Sequence, residues 1–520
     1  MSTFRQYIFL FKKTGHTHAR CASKSSLVLL CLMLPATLTR LLVPLLGWFS
    51  TREHDTPSTT LTTLTNHDLT APEPVVITAT PQQQQPKLQF ELRHLHAVSP
   101  EAKVLFHDVR REELEAEEEE EEVVEGQSFD NDGDRSGTTA TTRRRRAKRT
   151  PYMISTKPVR RYRPSSFEAF SAARESIRLQ SQSRITGLRS AENSGAVEPL
   201  NWEVEDVEGP DVEKRETLLL LAKMANDAYV DPKDPAWYPL DEGWNTSYPF
   251  GWEPDQDGFR GHVFANEDNS TVVVSIKGTS AGLFGGGGPT SKKDKLNDNL
   301  LFSCCCARID WTWTTVCGCY RGSGKCDQNC LEASLIEESL FYPIGTNLYN
   351  NLTYMYPESN IWIIGHSLGG ALASLLGVTF GMPVVSFEAP GEKLASQRLH
   401  LPQPPELQHI THVYHTADPI AMGTCNGVLS SCFLGGYAME TGCHLGKTIV
   451  YDTVTSAGWT VDIRTHGIVT IIEKLLSEPW PPSVEQGREV PEAKPQDDCV
   501  DCYSWEFGDF PQSKKRLCGS

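Results

Sequence analysis

Residues 361–377 read IWIIGHSLGGALASLLG, and no other stretch of this chain constrains the fold as tightly. Four apolar residues run straight into Gly365-His366-Ser367-Leu368-Gly369, a G-x-S-x-G pentapeptide, and a small-residue helical pattern follows. The order predicts a buried strand, a sharp turn carrying a serine, and a compact helix. Small residues flank Ser367 because such a turn is strained and its neighbours crowd the backbone. The turn presents the hydroxyl at the strand's C-terminal end, where the helix N-terminus favours developing negative charge.

A chain of 520 residues has room for two or three domains of ordinary size, but its first 200 residues lack globular composition. We therefore expect one large folded unit. Net charge is -17, which argues against nucleic acid as a partner. Of 15 cysteines, 13 lie between Cys304 and Cys518, a clustering suited to an oxidising compartment.

Residues 27–49 are mostly apolar and are preceded by Arg5, Lys12, Lys13, Arg20 and Lys24. That bias predicts a cytosolic N-terminus (1–24), an uncleaved signal-anchor spanning the membrane once (25–49) and a translocated body. Arg40, Pro35 and Pro44 weaken a straight span, so a cleaved signal peptide and an ordinary core helix stay open as alternatives. The sequons at Asn245, Asn269 and Asn351 favour a lumenal, glycosylated body when taken together with the cysteines.

Residues 50–205 are rich in Thr, Pro, Gln, Ser, Glu and Arg, and include PQQQQP, a glutamate run and TTRRRRAKRT. Such composition buries little apolar surface, so a disordered lumenal stalk is expected. The arginine block reads as a solvated cluster, with a processing site or a nuclear-type signal as alternatives. The main folded domain is expected over 206–478 and a tail with the pair Cys499 and Cys502 over 479–520. Within the domain, helical spacing marks 216–229, 331–356 and 468–476. Short strands are expected at 262–266, 271–278, 361–364, 383–387 and 410–415. Strands alternating with helices imply a mainly parallel sheet covered on both faces, an α/β architecture.

A serine hydroxyl needs a base, and the base needs an orienting carboxylate. In this architecture the order along the chain is Ser, Asp or Glu, then His. Asp418 follows the strand-like THVYHTA, and His466 and His444 are the histidines after it. His466 is favoured, because it sits in a loop entering the last helix, whereas His444 adjoins Cys443. His366 must point away from Ser367, and His412 and His415 read as packing residues. Two oxyanion donors are expected: the N–H of Leu368 and, from the strand-to-loop junction VVVSIKGTS, Thr279.

These residues resemble the fungal class 3 lipases of the α/β-hydrolase fold. The matching pieces are LAKMANDAYV, VSIKGTS, GHSLGG, FEAPG and HTADPI. DNLLFSCC, GCHLGK, DIRTHGI and DCVDCYSWEF extend the likeness to the autophagy-related vacuolar group, whose members degrade the membranes of autophagic bodies. The resemblance implies Ser367 as nucleophile, Asp418 as carboxylate, His466 as base and Thr279 as oxyanion donor. It also implies a single-pass membrane protein that reaches the vacuole through endosomal multivesicular bodies. The Gln- and Glu-rich stretch and the run Gly285–Gly288 depart from the pattern.

The expected activity is hydrolysis of acyl esters in membrane phospholipids and neutral lipids, with no metal or cofactor required. A lid is expected over 281–306, with Leu300, Leu301 and Phe302 facing lipid or the closed site. The cysteines from 304 to 330 read as disulfides rather than a zinc cluster, with pairing open. Two rival functions remain: a catalytically silent lipid-binding protein that keeps the fold, and an esterase acting on soluble esters.

Overall fold

The computed structural model describes residues 86–98, 103–108, 153–186, 200–230, 237–238, 258–280, 291–308, 315–338, 341–427 and 430–510. Strands β1 (Lys87–Val98), β2 (Val104–Asp108), β3 (Met153–Pro164) and β4 (Trp202–Pro210) come first. They are followed by β5 (Gly261–Asn266), β6 (Thr271–Ile276), β7 (Tyr320–Gly322), β8 (Lys325–Asp327) and β9 (Asn360–His366). The last are β10 (Val384–Phe387), β11 (Ile410–His415), β12 (Lys447–Tyr451), β13 (Lys494–Pro495) and β14 (Glu506–Gly508).

One sheet takes the order β13-β12-β11-β10-β9-β6-β5-β1-β3-β4, with β2 beside β1. Neighbours from β6 through β9, β10, β11 and β12 are parallel. From β6 outward through β5, β1, β3 and β4 they are antiparallel. β6, β9 and β10 read as largely apolar runs because both their faces are covered. Ile361 and Ile363 of β9 enter one core with the helices Phe341–Met355 and Leu368–Phe380. Trp362 and Ile364 enter the other, beneath the helix Arg215–Asp227 and residues 468–476.

The helix Leu368–Phe380 is buried on every side. Its small residues allow that approach: a Cβ on Gly369 would stand 2.2 Å from the Ile276 carbonyl oxygen. Gly381 ends the helix in a left-handed conformation, φ 72°, with its N–H on the Gly377 carbonyl. Within the helix expected over 331–356, Gln328–Glu338 and Phe341–Met355 are helical, and residues 339–340 lie outside the described residues.

The expected disordered stalk over 50–205 is corrected wherever that stretch is described. β1 pairs with β5, β3 with β1 and β4, and the boundary expected at 206 falls inside β4. β1 buries Phe90, Leu92, Leu95 and Ala97, each worth up to about 1.5–3 kcal/mol for the larger side chains. β3 and β4 carry their charges in cross-strand pairs, Arg160–Asp206, Arg161–Glu205 and Arg163–Glu203. The expected anchor at 25–49 lies outside the described residues, and no helix among those described is long and apolar enough to cross a membrane.

Among the described residues six disulfides occur: Cys304–Cys502, Cys305–Cys326, Cys306–Cys317, Cys319–Cys330, Cys425–Cys432 and Cys443–Cys499. Cys499 and Cys502 therefore pair with the body and not with each other. They fasten the C-terminal segment to it.

Candidate active site

Ser367 follows β9 with φ 57° and ψ -130°, a conformation that side chains rarely adopt. Its N–H still reaches the Phe387 carbonyl, as the next rung of the β9–β10 ladder would. Its carbonyl accepts the first helical bond, from Ala371. The hydroxyl makes no helix cap. It lies 2.9 Å from His466 Nε2, and His466 Nδ1 lies 2.7 Å from Asp418 Oδ2. The Ser367 hydroxyl donates to Nε2, and Nδ1–H donates to the carboxylate.

Asp418 sits in the turn after β11 and is fully buried. Burial pushes its carboxyl up, but the charge and hydrogen bond of His466, a contact from Glu388 and the Ile420 N–H outweigh burial. The carboxyl lies well below the usual range, so it is ionised at any working pH. The His466 loop is tied to the same turn. Asp462 N–H and the Thr465 hydroxyl both donate to the Ala417 carbonyl, and His415 Nε2–H donates to the Thr465 carbonyl. Side chains 99 and 48 residues apart in sequence thus meet through backbone ties next to Asp418.

Thr279 follows β6. A Cβ built on Gly278 would stand 2.3 Å from the His366 carbonyl oxygen and 3.1 Å from Ser367 Cβ, so only glycine lets this junction pass so close to the elbow. The Thr279 hydroxyl donates to Asp298 Oδ2 at 2.6 Å, and Ser280 N–H donates to Asp294 Oδ2 at 2.9 Å. Burial pushes the Asp298 carboxyl up to about 8. Leu368 occupies the first helical position after Ser367.

The site opens into a cleft of about 330 Å³. Tyr229, Ile420, Tyr437, Met439, Ile463 and Ile468 give it an apolar lining. The expected lid residues are not part of it. Leu300, Leu301 and Phe302 are fully buried in the core at the end of the helix Ser291–Leu301. The neighbouring disulfides of Cys304, Cys305 and Cys306 hold them there. Asn269 and Asn351 are exposed, in the β5–β6 turn and on the helix Phe341–Met355, while Asn245 lies outside the described residues.

Histidines that do not belong to the chain of bonds have other partners. His444 Nε2 meets the Ala389 carbonyl at 2.9 Å, and His412 contacts Glu392 at 3.0 Å. His366 does more than point away from Ser367. Its Nε2–H donates to the His466 carbonyl at 2.8 Å, and its Nδ1 accepts from Tyr229 at 2.7 Å. Burial first, and then the neighbouring His466, pull His366 down to about 3, so it is neutral with a fixed tautomer. Asp298, Tyr229 and Glu388 were missed by sequence reasoning. Each lies inside a matched piece, Tyr229 in LAKMANDAYV, Asp298 in DNLLFSCC and Glu388 in FEAPG, but pattern alone gave it no partner.

A family model described as "Lipase (class 3)" matches residues 306–423, a span that includes Ser367 and Asp418 but stops before His466. A relative from Cryptococcus neoformans named "Putative lipase ATG15" is 51% identical over 366 residues, covering 59% of this chain and 70% of the relative. A relative of the same name from Saccharomyces cerevisiae is 51% identical over 315 residues, covering 59% of each chain. Among solved structures, the Lip2 lipase of Yarrowia lipolytica matches at 18% identity, over 47% of this chain and 80% of that one, with a TM-score of 0.25.

Proposed function

The chain belongs to the autophagy-related group of fungal class 3 lipases, and from that membership we propose that it hydrolyses acyl esters of membrane lipids through an acyl-enzyme on Ser367. The observation that carries the reading is the Ser367–His466–Asp418 chain of hydrogen bonds at the floor of an apolar cleft.

In this reading His466 Nε2 takes the Ser367 proton as Oγ attacks the acyl carbonyl. Asp418 holds the ring with Nδ1–H toward it and stabilises the imidazolium that forms. The N–H groups of Leu368 and Thr279 receive the oxyanion, and losing one such donor typically costs about 10²–10³ in rate. His466 then returns the proton to the departing alcohol, and water repeats the sequence to release the fatty acid. Asp298 fixes the Thr279 side chain, which keeps its N–H aimed at the oxyanion position. His366 fixes the backbone of His466. The chemistry uses no metal and no cofactor.

The apolar cleft fits acyl chains, so membrane phospholipids and neutral lipids are the proposed substrates. A type II anchor at 25–49, passage through the endosomal system and lysis of autophagic and multivesicular-body vesicles in the vacuole complete the proposal. The test is a lipid panel with the purified protein and Ser367→Ala. Fatty acid release from phospholipid vesicles or triacylglycerol that vanishes in Ser367→Ala supports the reading. Equal release by both proteins sinks it. A rate on dispersed short-chain ester above that on aggregates would favour a soluble-ester esterase.

A further inference from the structure

We propose that Glu388 is a neutral carboxylic acid that donates its proton to the Asp418 carboxylate, and so acts as a positioning residue for the triad. The proposal rests on the serine-hydrolase reading above, and deepens it.

Glu388 comes directly after β10, on the edge of the sheet that carries Ser367 and Asp418. Its φ is 44°, in the left-handed region that disfavours any residue with a Cβ. Its side chain is fully buried. Such a residue persists where its surroundings over-determine it, and such positions cluster at functional sites. Oε1 accepts the His415 N–H at 3.1 Å. The His415 ring is no partner: its Nε2 is 3.8 Å away and already donates to the Thr465 carbonyl. Oε2 is sealed from solvent and has no donor as long as the group is ionised. Yet the carboxyl hydrogen-bonds the Asp418 carboxyl.

Two touching carboxylates in a closed interior do not both ionise. Asp418 already receives His466 Nδ1–H and Ile420 N–H, which stabilise its charge, whereas Glu388 receives one N–H. The shared proton therefore belongs on Glu388. A hydrogen on Oε2 satisfies the orphaned atom and gives Asp418 a third donor. Burial first, and then the charge of Asp418, push Glu388 well above the ordinary range. The titratable groups facing Glu388 are Asp418, His415 and Tyr414, with His466 behind Asp418. Burial holds His415 below its ordinary value, so it brings no compensating cation.

The physical consequence is a triad suited to acid. The stabilisation from Glu388 is complete below the ordinary glutamate value of about 4.3 and is lost as pH rises through its raised folded value. Ionised Glu388 would set a second negative charge against Asp418 and release the hold on its plane.

The test uses the full chain, a soluble short-chain ester, and two variants. Glu388→Gln keeps a donor and is neutral at every pH. Glu388→Met keeps the volume and removes the donor. Glu388→Gln is expected to hold kcat within about 3-fold and to stay active above the pH at which wild type declines. Glu388→Met is expected to lose about 10–100-fold in kcat with little change in KM, the scale of one hydrogen bond to a charged group. Infrared difference spectra, wild type minus Glu388→Gln at neutral pH, are expected to show the carbonyl stretch of a neutral acid. This readout needs no activity and stands if Glu388→Met does not fold. Absence of that band overturns the proposal, as does a Glu388→Met enzyme with wild-type kcat and pH profile. The band in a protein without Ser367-dependent hydrolysis upholds the proton on Glu388 while removing the serine-hydrolase reading.

Discussion

Strands β6 and β9 to β12 share a sheet with β1 and β3 to β5, yet the two halves are made differently and do different work. The parallel half is buried on both faces, and its strands end together on one edge. Thr279 follows β6, Ser367 follows β9, Glu388 follows β10 and Asp418 follows β11. Loops at the carboxyl ends of parallel strands converge, so four chemically distinct groups meet without any of them being near in sequence. The antiparallel half is held by a bulged strand and by paired charges. Among the described residues, none of β1 to β4 lines the cleft. One half concentrates chemistry, and the other extends and closes the sheet.

The sharpest way to break this comparison is Ser367→Ala. Removing a nucleophile from a working triad costs on the order of 10⁶-fold in kcat. The expected result is an inactive protein with an unchanged melting temperature, measured by ester assay and calorimetry. A matching loss of stability would show that the site and the scaffold are not separable. The converse test lies in the antiparallel half. Phe90→Ala empties a buried position against Trp362, with ring centroids 5.6 Å apart, and is expected to cost about 3–5 kcal/mol. Denaturant unfolding measures the loss, and kcat of the folded fraction should not move. Changed kcat at fixed KM would mean that this half shapes the site after all.

A third variant probes the staples between the C-terminal segment and the body. Replacing Cys304 and Cys502 by Ser opens a link spanning 198 residues and is expected to cost about 2–5 kcal/mol. Faster proteolysis at the C-terminal segment is the readout.

The loop that carries Thr279 gives a pH-dependent test. The Asp298 folded value, raised to about 8 by burial, means that its stabilisation is complete below about 3.9 and is lost as pH rises toward 8. Asp298→Asn has no such dependence. The melting temperature of the variant minus that of wild type should therefore climb between pH 4 and 8. A flat difference would mean that Asp298 is ionised in the fold. The smallest effect belongs to the exposed ladder. Arg160→Ala should leave both melting temperature and activity at wild-type values, because an exposed ion pair is screened by water and salt.

Legibility followed the same division. β9 and β10 could be read because they are short apolar runs bounded by turn residues, β11 because THVYHTA alternates, and the strained serine turn carries its own punctuation. β1 could not. Phe90, Leu92 and then Leu95 enter one core, because a register shift between Leu92 and His94 reverses the parity, and Leu95 to Val98 are all buried. Alternation that changes phase looks like no alternation. β3 gives no apolar signal either, since its arginines are satisfied by acids 40 to 46 positions later. The expectation that Leu300, Leu301 and Phe302 belong to a lid failed for a related reason: an apolar triplet before a cysteine cluster reads the same whether it faces lipid or packs beneath disulfides, and 281–290 lie outside the described residues.

The sequence alone determined the strained serine turn, the order of the residue types that could serve it, the disulfide-forming cysteines of the body and the family. These are local patterns or matches of pattern, and they survive without coordinates. Only the tertiary structure decided that His466 and not His444 meets Ser367, that Asp298 grips Thr279, that Glu388 lies against Asp418, and that residues before 200 complete the sheet. Each of those is a contact between distant segments. Its energy comes from burial and from pairing of groups that water would otherwise satisfy, and neither exists until the chain has closed around them.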